Sequence, residues 1–273
     1  MKKRTFTVLI VALAIGSCCM VAPAFAQRGT APAYRGPRTA DGHPNLNGIW
    51  QAFSTAYWDL EDHSPSPPQL YQMGARGATP GGQGVVEGGD IPYKPAALET
   101  RKKNFANRLA LDPEVKCYMP GIPRATYMPY PFQILQTPSS ILMAYEFASS
   151  DRVVNMGKPV EAAVDTWMGT ANGRWDGETL VVDSTGFTDG TWFDRAGNFH
   201  SDQLHVVERF TLTDVDHMQY EATIEDPQTF TRPWKISMPL YRRVEKNFRL
   251  TDFKCVEYAE ELLYGELRKK PSK

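Results

Sequence analysis

The sequence predicts a mainly β protein: an antiparallel up-and-down β-barrel, preceded by a coil-and-helix extension and followed by a C-terminal helix. Three observations lead there. From Phe132 onward, short runs rich in Ile, Val, Tyr, Phe and Thr recur at intervals of roughly ten residues. Turn-forming residues stand between them, at Ser139-Ser140, Asn172-Gly173, Asp176-Gly177 and Asp214 to Asp216. The chain ahead of Phe132 is dense in Gly and Pro, which cannot supply a central sheet but can wrap one.

The chain opens MKKRTFTVLIVALAIGSCCMVAPAFAQ. Basic residues, a short apolar run and Ala24-Phe25-Ala26 read as a secretory signal peptide over 1–26, with cleavage after Ala26. The run is too short to span a bilayer. A periplasmic or secreted protein with no membrane association after cleavage is therefore expected; lipoprotein processing at Cys18 is the rival. Cleavage removes Lys2, Lys3 and Arg4, so 30 basic groups become 27 against 31 acidic ones, a net charge of −4. That balance argues against a nucleic-acid partner, and Arg101-Lys102-Lys103 reads as a solvated helix face beside Glu99.

Residues 27–63 hold the first strand, in HPNLNGIWQAF, with Trp50 as its anchor. Residues 64–95 form a Gly/Pro-rich excursion without hydrophobic period, and its glycines make no phosphate loop because no Gly-Lys-Ser/Thr follows. Residues 96–131 hold a helix and a Pro-rich coil. The helix spans about 95–110, with Leu98, Phe105 and Leu109 on one apolar face. The coil, DPEVKCYMPGIPRATYMPYP, should drape over the body as extended chain.

Residues 132–273 form the barrel body and C-terminal helix. The strand-like runs are FQILQT, ILMAYEF, RVVNM, TLVVDST, LHVVERFTL, MQYEATIED, WKISMPLYR and NFRLTDFKCV. The final EYAEELLYGELRKK places Tyr258, Leu262, Leu263 and Leu267 at helical spacing, as a helix capping or flanking the barrel. Cys117 and Cys255 remain after signal cleavage, and an even count in an oxidising compartment favours one disulfide. In the chain-entropy account such a bridge stabilises by on the order of 5 kcal/mol.

Two resemblances add to this. Gly48-Ile49-Trp50 resembles the Gly-x-Trp opening of lipocalins, and up-and-down strands followed by a C-terminal helix are similar to the calycin plan. The segments DPEVKCYMPGIPRATYMPYPFQI, TWMGTANGRWDGETLVVDSTGF, TWFDRAGNFHSDQLHVVERF and TRPWKISMPLYR resemble a large family of exported proteins from environmental Gram-negative bacteria. The second resemblance implies export and brings no activity with it.

Candidate chemistry concentrates in WFDRAGNFHSDQLHVVERF, residues 192–210. Alternation along a strand places Leu204, Val206, Glu208, Phe210 and Leu212 on one face, so Glu208 sits among apolar groups and must pair with Arg, hydrogen-bond or stay protonated. Leu180, Val182 and Ser184 make a similar face, as do Tyr220, Ala222, Ile224 and Asp226, and Trp234, Ile236, Met238 and Leu240. A small apolar or aromatic molecule inside the barrel, bound by Trp192, Phe193, Phe210, Tyr220 and Trp234, is the first function this suggests. The alternative is a cofactor-independent hydrolase, lyase or isomerase, with His205, His200, Glu208 and Asp194 as its acid/base set at the barrel mouth. Opposed to both stand a filled barrel with loop histidines, in which Asp194 pairs with Arg195 or Arg209, and a structural or interaction role for the Gly/Pro-rich segment. A metal on His200 and His205 is not favoured: the spacing matches no helical zinc motif, and His205 and Glu208 point to opposite faces. No Gly-x-Ser-x-Gly nucleophile elbow is present. Nothing in the sequence specifies an oligomeric state.

Overall fold

The structure, a computed structural model, describes residues 34–68, 78–264 and 266. The signal peptide, part of the Gly/Pro-rich segment and Leu267 lie outside the described residues. Strands β1 (Gly48–Ala52), β2 (Phe132–Gln136), β3 (Ser140–Tyr145), β4 (Arg152–Asn155), β5 (Thr170–Asp176), β6 (Thr179–Thr185), β7 (His205–Leu212), β8 (His217–Glu225) and β9 (Trp234–Arg242) pair in sequence order. The sheet closes through β1 and β9, with Trp50 opposite Arg242 and Ala52 opposite Leu240. The protein is therefore mainly β, built on a closed nine-stranded barrel.

The expected alternation of strand faces is observed. Val206, Glu208, Phe210 and Leu212 of β7 point inward, as do Met218, Tyr220, Ala222 and Ile224 of β8 and Trp234, Ile236, Met238 and Leu240 of β9; all are buried. Their long ladders follow from dense β-branched and aromatic sequence.

The barrel is mixed, not uniformly antiparallel, because β4 and β5 run parallel through Val154 opposite Ala171 and Asn155 opposite Asn172. Here Asn172-Gly173, expected as a turn, is mid-strand. A Cβ at Gly173 would lie 2.3 Å from Met156 Sδ and 2.7 Å from Val154 Cγ1, so only glycine admits β4 this closely. Asn172 uses its amide to hold the crossover, accepting from Val160 N at 2.8 Å and donating to Val160 O at 2.9 Å. The same residues that favour turns thus fasten a chain crossing.

NFRLTDFKCV is not a tenth strand. The ring is already closed, and the remaining edge of β9 is taken by the Gly/Pro-rich segment, where Ser237 N donates to Val85 O at 2.9 Å and Glu87 N to Lys235 O at 2.8 Å. Pro239 falls between that ladder and the β1 ladder, where the edge makes no demand on its missing N–H.

Helix α1 (Pro95–Ala106) forms where expected and is followed by the single turn α2 (Arg108–Leu111), but its apolar face is not buried. Leu98 and Phe105 are 39% and 43% exposed, and no residue of α1 is buried. Polar contacts attach it instead, among them Asn104 Nδ2 to Gly197 O at 3.2 Å.

The Pro-rich coil also departs from expectation. It contains a 3₁₀ turn over Pro113–Lys116 and a buried helical turn, α3 (Arg124–Tyr127), whose Tyr127 donates to Phe193 O at 2.8 Å. A chain that can satisfy its polar groups against the barrel end need not lie on the surface.

Cys117 and Cys255 are bonded, with Cα atoms 5.7 Å apart. The bridge holds the C-terminal segment against the 3₁₀ turn, where Tyr258 N donates to Val115 O at 2.7 Å. Helix α4 (Ala259–Tyr264) follows, with Leu262 and Leu263 72% and 66% exposed, so these leucines do not cap the barrel as their spacing suggested. Among the described residues no helix is long and apolar enough to cross a membrane.

Candidate functional site

The residues proposed as an acid/base set are distributed over three environments. Glu208 lies inside the barrel, where its oxygens accept from Arg152 at 2.6 and 3.0 Å and from Tyr220 Oη at 2.9 Å. Arginine pairing, one of the outcomes required of a carboxylate on that face, is the one realised. His205, three residues away and therefore on the opposite face, lies outside the barrel with Asp183 at 2.9 Å and Glu225 at 3.4 Å.

His200 is buried at the barrel end against Phe193 and Phe187. Its Nδ1–H donates to Ser201 O at 2.8 Å and its Nε2 accepts from Thr191 Oγ1 at 2.6 Å. Burial lowers its pKa, so the neutral ring is the stable form.

Asp194 does not orient either imidazole, and it pairs with neither Arg195 nor Arg209. Its oxygens accept from the backbone of Leu60, Ala196 and Asn198 at 2.9, 2.9 and 3.2 Å, and from Asn198 Nδ2 at 2.6 Å. It folds the 192–200 loop. Burial first, and the charge of Asp59 second, push its pKa up to about 7 against these donors. The proposed catalytic set is therefore not assembled, because strand alternation separates His205 from Glu208 and backbone N–H groups occupy Asp194.

The proposed ligand-binding aromatics pack on one another. Phe210 and Tyr220 have ring centroids 5.0 Å apart, Phe193 and Trp234 5.6 Å, and Trp192 is 8% exposed. They are core of the barrel and its end, and among the described residues His200 and His205 share no partner. Among the described residues no three His, Cys, Asp or Glu side chains are grouped as a metal site requires.

A different site assembles outside the barrel, where the disulfide brings residues 253–259 over the 3₁₀ turn. There a cleft of about 260 Å³ is lined by Glu114, Arg195, Tyr130, Phe147, Phe253 and Cys255, among others. Asp112 caps the turn by accepting from Glu114 N at 3.0 Å, which fixes the Glu114 backbone. Arg124 of α3, 1% exposed, then grips both acids, reaching Asp112 at 2.8 and 3.1 Å and Glu114 Oε2 at 2.9 Å. Tyr57 donates to the other oxygen of Glu114. Such charge-assisted forks set a side chain rigidly.

Arg195 Nε stands 3.8 Å from Glu114 Oε2, with its guanidinium 4.7 Å over the Trp58 ring. The walls are aromatic: Phe253 lies 4.8 Å from Tyr130 and 5.0 Å from Phe147, centroid to centroid. Burial raises the Glu114 pKa, and Arg195 and Arg124 oppose the rise. The Glu114 side chain is 15% exposed.

None of Glu114, Phe147 and Phe253 stands among the candidate residues read from the sequence. The signal was present: a bridge between Cys117 and Cys255 must bring Glu114 and Phe253 together. No protein-family model, curated protein or solved structure matches the chain.

Proposed function

We propose that this is an exported protein that binds a small aromatic molecule, and that the ligand occupies the cleft beneath the disulfide rather than the barrel interior. The observation that carries this is the convergence of three aromatic walls, Tyr130, Phe147 and Phe253, on an accessible floor of Glu114 and Arg195. Apolar walls with a few oriented polar groups are the usual composition of a small-molecule site. The volume of about 260 Å³ lies just under the roughly 300 to 1,000 Å³ common for such sites, which suits a single ring. Export to the periplasm or beyond is supported by the signal-like N-terminus and the disulfide. A calycin-like ancestry is favoured by sequential strand order and by Gly48 and Trp50 on β1.

The test is a saturation-transfer NMR screen of single-ring aromatic fragments against the disulfide-intact protein. Hits that disappear in Phe253→Ala and persist in Trp192→Phe are expected. A screen without hits, or hits indifferent to Phe253, overturns the assignment.

A further inference from the structure

Strained backbone collects around the cleft. Among the described residues the non-glycine positions with left-handed φ are Cys117, Ala148, Ser149, Asn247 and Tyr258, with φ between 48° and 62°. A Cβ disfavours this region, least for asparagine, and such residues persist where their surroundings hold them, often at clamps and switches. Cys117 ends the 3₁₀ turn that carries Glu114, and Ala148 and Ser149 follow the wall residue Phe147. Asn247 and Tyr258 bracket the chain that brings Phe253 and Cys255 to the cleft.

Residues 247–258 form a strap with neither helix nor strand, and none of them is buried. Besides the bridge, the strap meets the body where Thr251 N donates to a Glu146 carboxylate oxygen at 2.8 Å and Tyr258 N donates to Val115 O at 2.7 Å. Arg243 lies 4.0 Å over the Phe248 ring, and Phe253 packs on Tyr130 and Phe147. Exposed contacts of this kind open locally without unfolding the rest. The covalent tie between Cys117 and Cys255 is what makes the closed position permanent.

We propose that this bridge is a redox gate: its reduction by a dithiol lets the strap turn outward at Asn247 and Tyr258, lifting Phe253 from Tyr130 and Phe147 and opening the cleft. Cys255 lines the cleft, which gives the reductant its approach. One reductant thiolate attacks the Cys255 sulfur, forming a mixed disulfide and expelling Cys117 as a thiolate; the second reductant thiolate then displaces Cys255. The bridge gains two electrons, the cysteine thiolates take up protons, and the reductant leaves as a disulfide. In an oxidising compartment the gate is closed by default. Control of a ligand rests on the binding role proposed above, whereas the opening of the strap does not.

Dithiothreitol is added to the folded protein in native buffer. Thiol alkylation with mass spectrometry reads the reduced cysteines, amide hydrogen exchange reads the strap, and phenol, a single-ring probe, is titrated before and after by ligand-observed NMR. Both cysteines should reduce with the far-UV spectrum unchanged, and exchange across 247–258 should rise about tenfold or more while β7 to β9 stay protected. Phenol affinity should fall by about tenfold, and reoxidation should restore it. Cys117→Ser/Cys255→Ser should be open from the start and indifferent to dithiothreitol; if that variant does not fold, reoxidation of wild type makes the same assignment. Reduction that requires unfolding of the barrel, or that leaves strap exchange unchanged, overturns the gate. If the strap opens but phenol binds neither form, the binding role falls and the redox strap stands. If phenol binds both forms equally, the binding role stands and the gate is overturned.

Discussion

Arg152 of β4 and Glu208 of β7 meet inside the barrel in a two-pronged ion pair, at 2.6 and 3.0 Å, with both side chains at most 2% exposed. Neither strand is the neighbour of the other, so the pair links separate sectors of the ring. Burial works against the charge of Arg152, but Glu208 outweighs it and keeps the guanidinium ionised. A buried pair of this kind costs desolvation that its attraction only partly returns.

The consequence is an asymmetry between single and double substitutions. Glu208→Gln or Arg152→Met alone leaves one partner buried without its counter-charge and should lower stability by about 3 to 5 kcal/mol. The double variant Arg152→Met/Glu208→Leu should recover most of that loss. Urea unfolding of the four proteins measures it, and additive losses in the double variant would disprove the coupling.

Asp194 should give stability a pH slope of definite sign. Its folded pKa of about 7 lies above the ordinary 3.8, so the folded state holds a proton the unfolded state has released. Between those values this group's contribution declines as pH rises, and above about 7 it is constant. His200, lowered by burial, acts oppositely and removes stability as pH falls through its ordinary value. Comparison of wild type with Asp194→Asn separates the two. The variant should lose about 1 to 3 kcal/mol, because its amide NH₂ must face an N–H donor, and its stability should fall less steeply from pH 4.5 to 7. Equal slopes in both proteins, by urea unfolding, would count against the assignment.

The bridge between Cys117 and Cys255 should matter more to the cleft than to the barrel. Its loss removes a covalent tie worth about 2 to 5 kcal/mol and frees the wall carrying Phe253. Cys117→Ser/Cys255→Ser should therefore keep the far-UV spectrum of the barrel while amide exchange accelerates across residues 247–259. Unchanged exchange there would show that packing alone holds the wall.

Helix α1 should detach when one arginine is neutralised. It buries no residue, and Arg101 supplies its contacts to Asn198 at 3.3 Å, Asp59 at 3.4 Å and Glu61 at 3.9 Å. Arg101→Gln should raise hydrogen exchange over 95–106 and change global stability by less than about 1 kcal/mol. A loss of several kcal/mol would mean that α1 belongs to the cooperative core.

Much of the barrel was legible because strand alternation is a local property. Glu208 could be placed on an apolar face from its neighbours alone, and the structure puts Phe210 and Val206 beside it as that pattern requires. The candidate site was not legible in the same way. Glu114, Arg195 and Phe253 come from three distant segments, and each looks ordinary in its own surroundings.

By itself, the sequence determined the strand faces, the β-rich class, the demand that Glu208 find a partner and the pairing of Cys117 with Cys255. Each follows from side-chain period or from residue chemistry. Only the tertiary structure decided that Arg152 would be the partner, that Asn172-Gly173 would be strand instead of turn, and that the ionisable cleft would lie outside the barrel. Those outcomes depend on which distant backbones approach closely and which edge is closed first, and no local window of sequence contains that information.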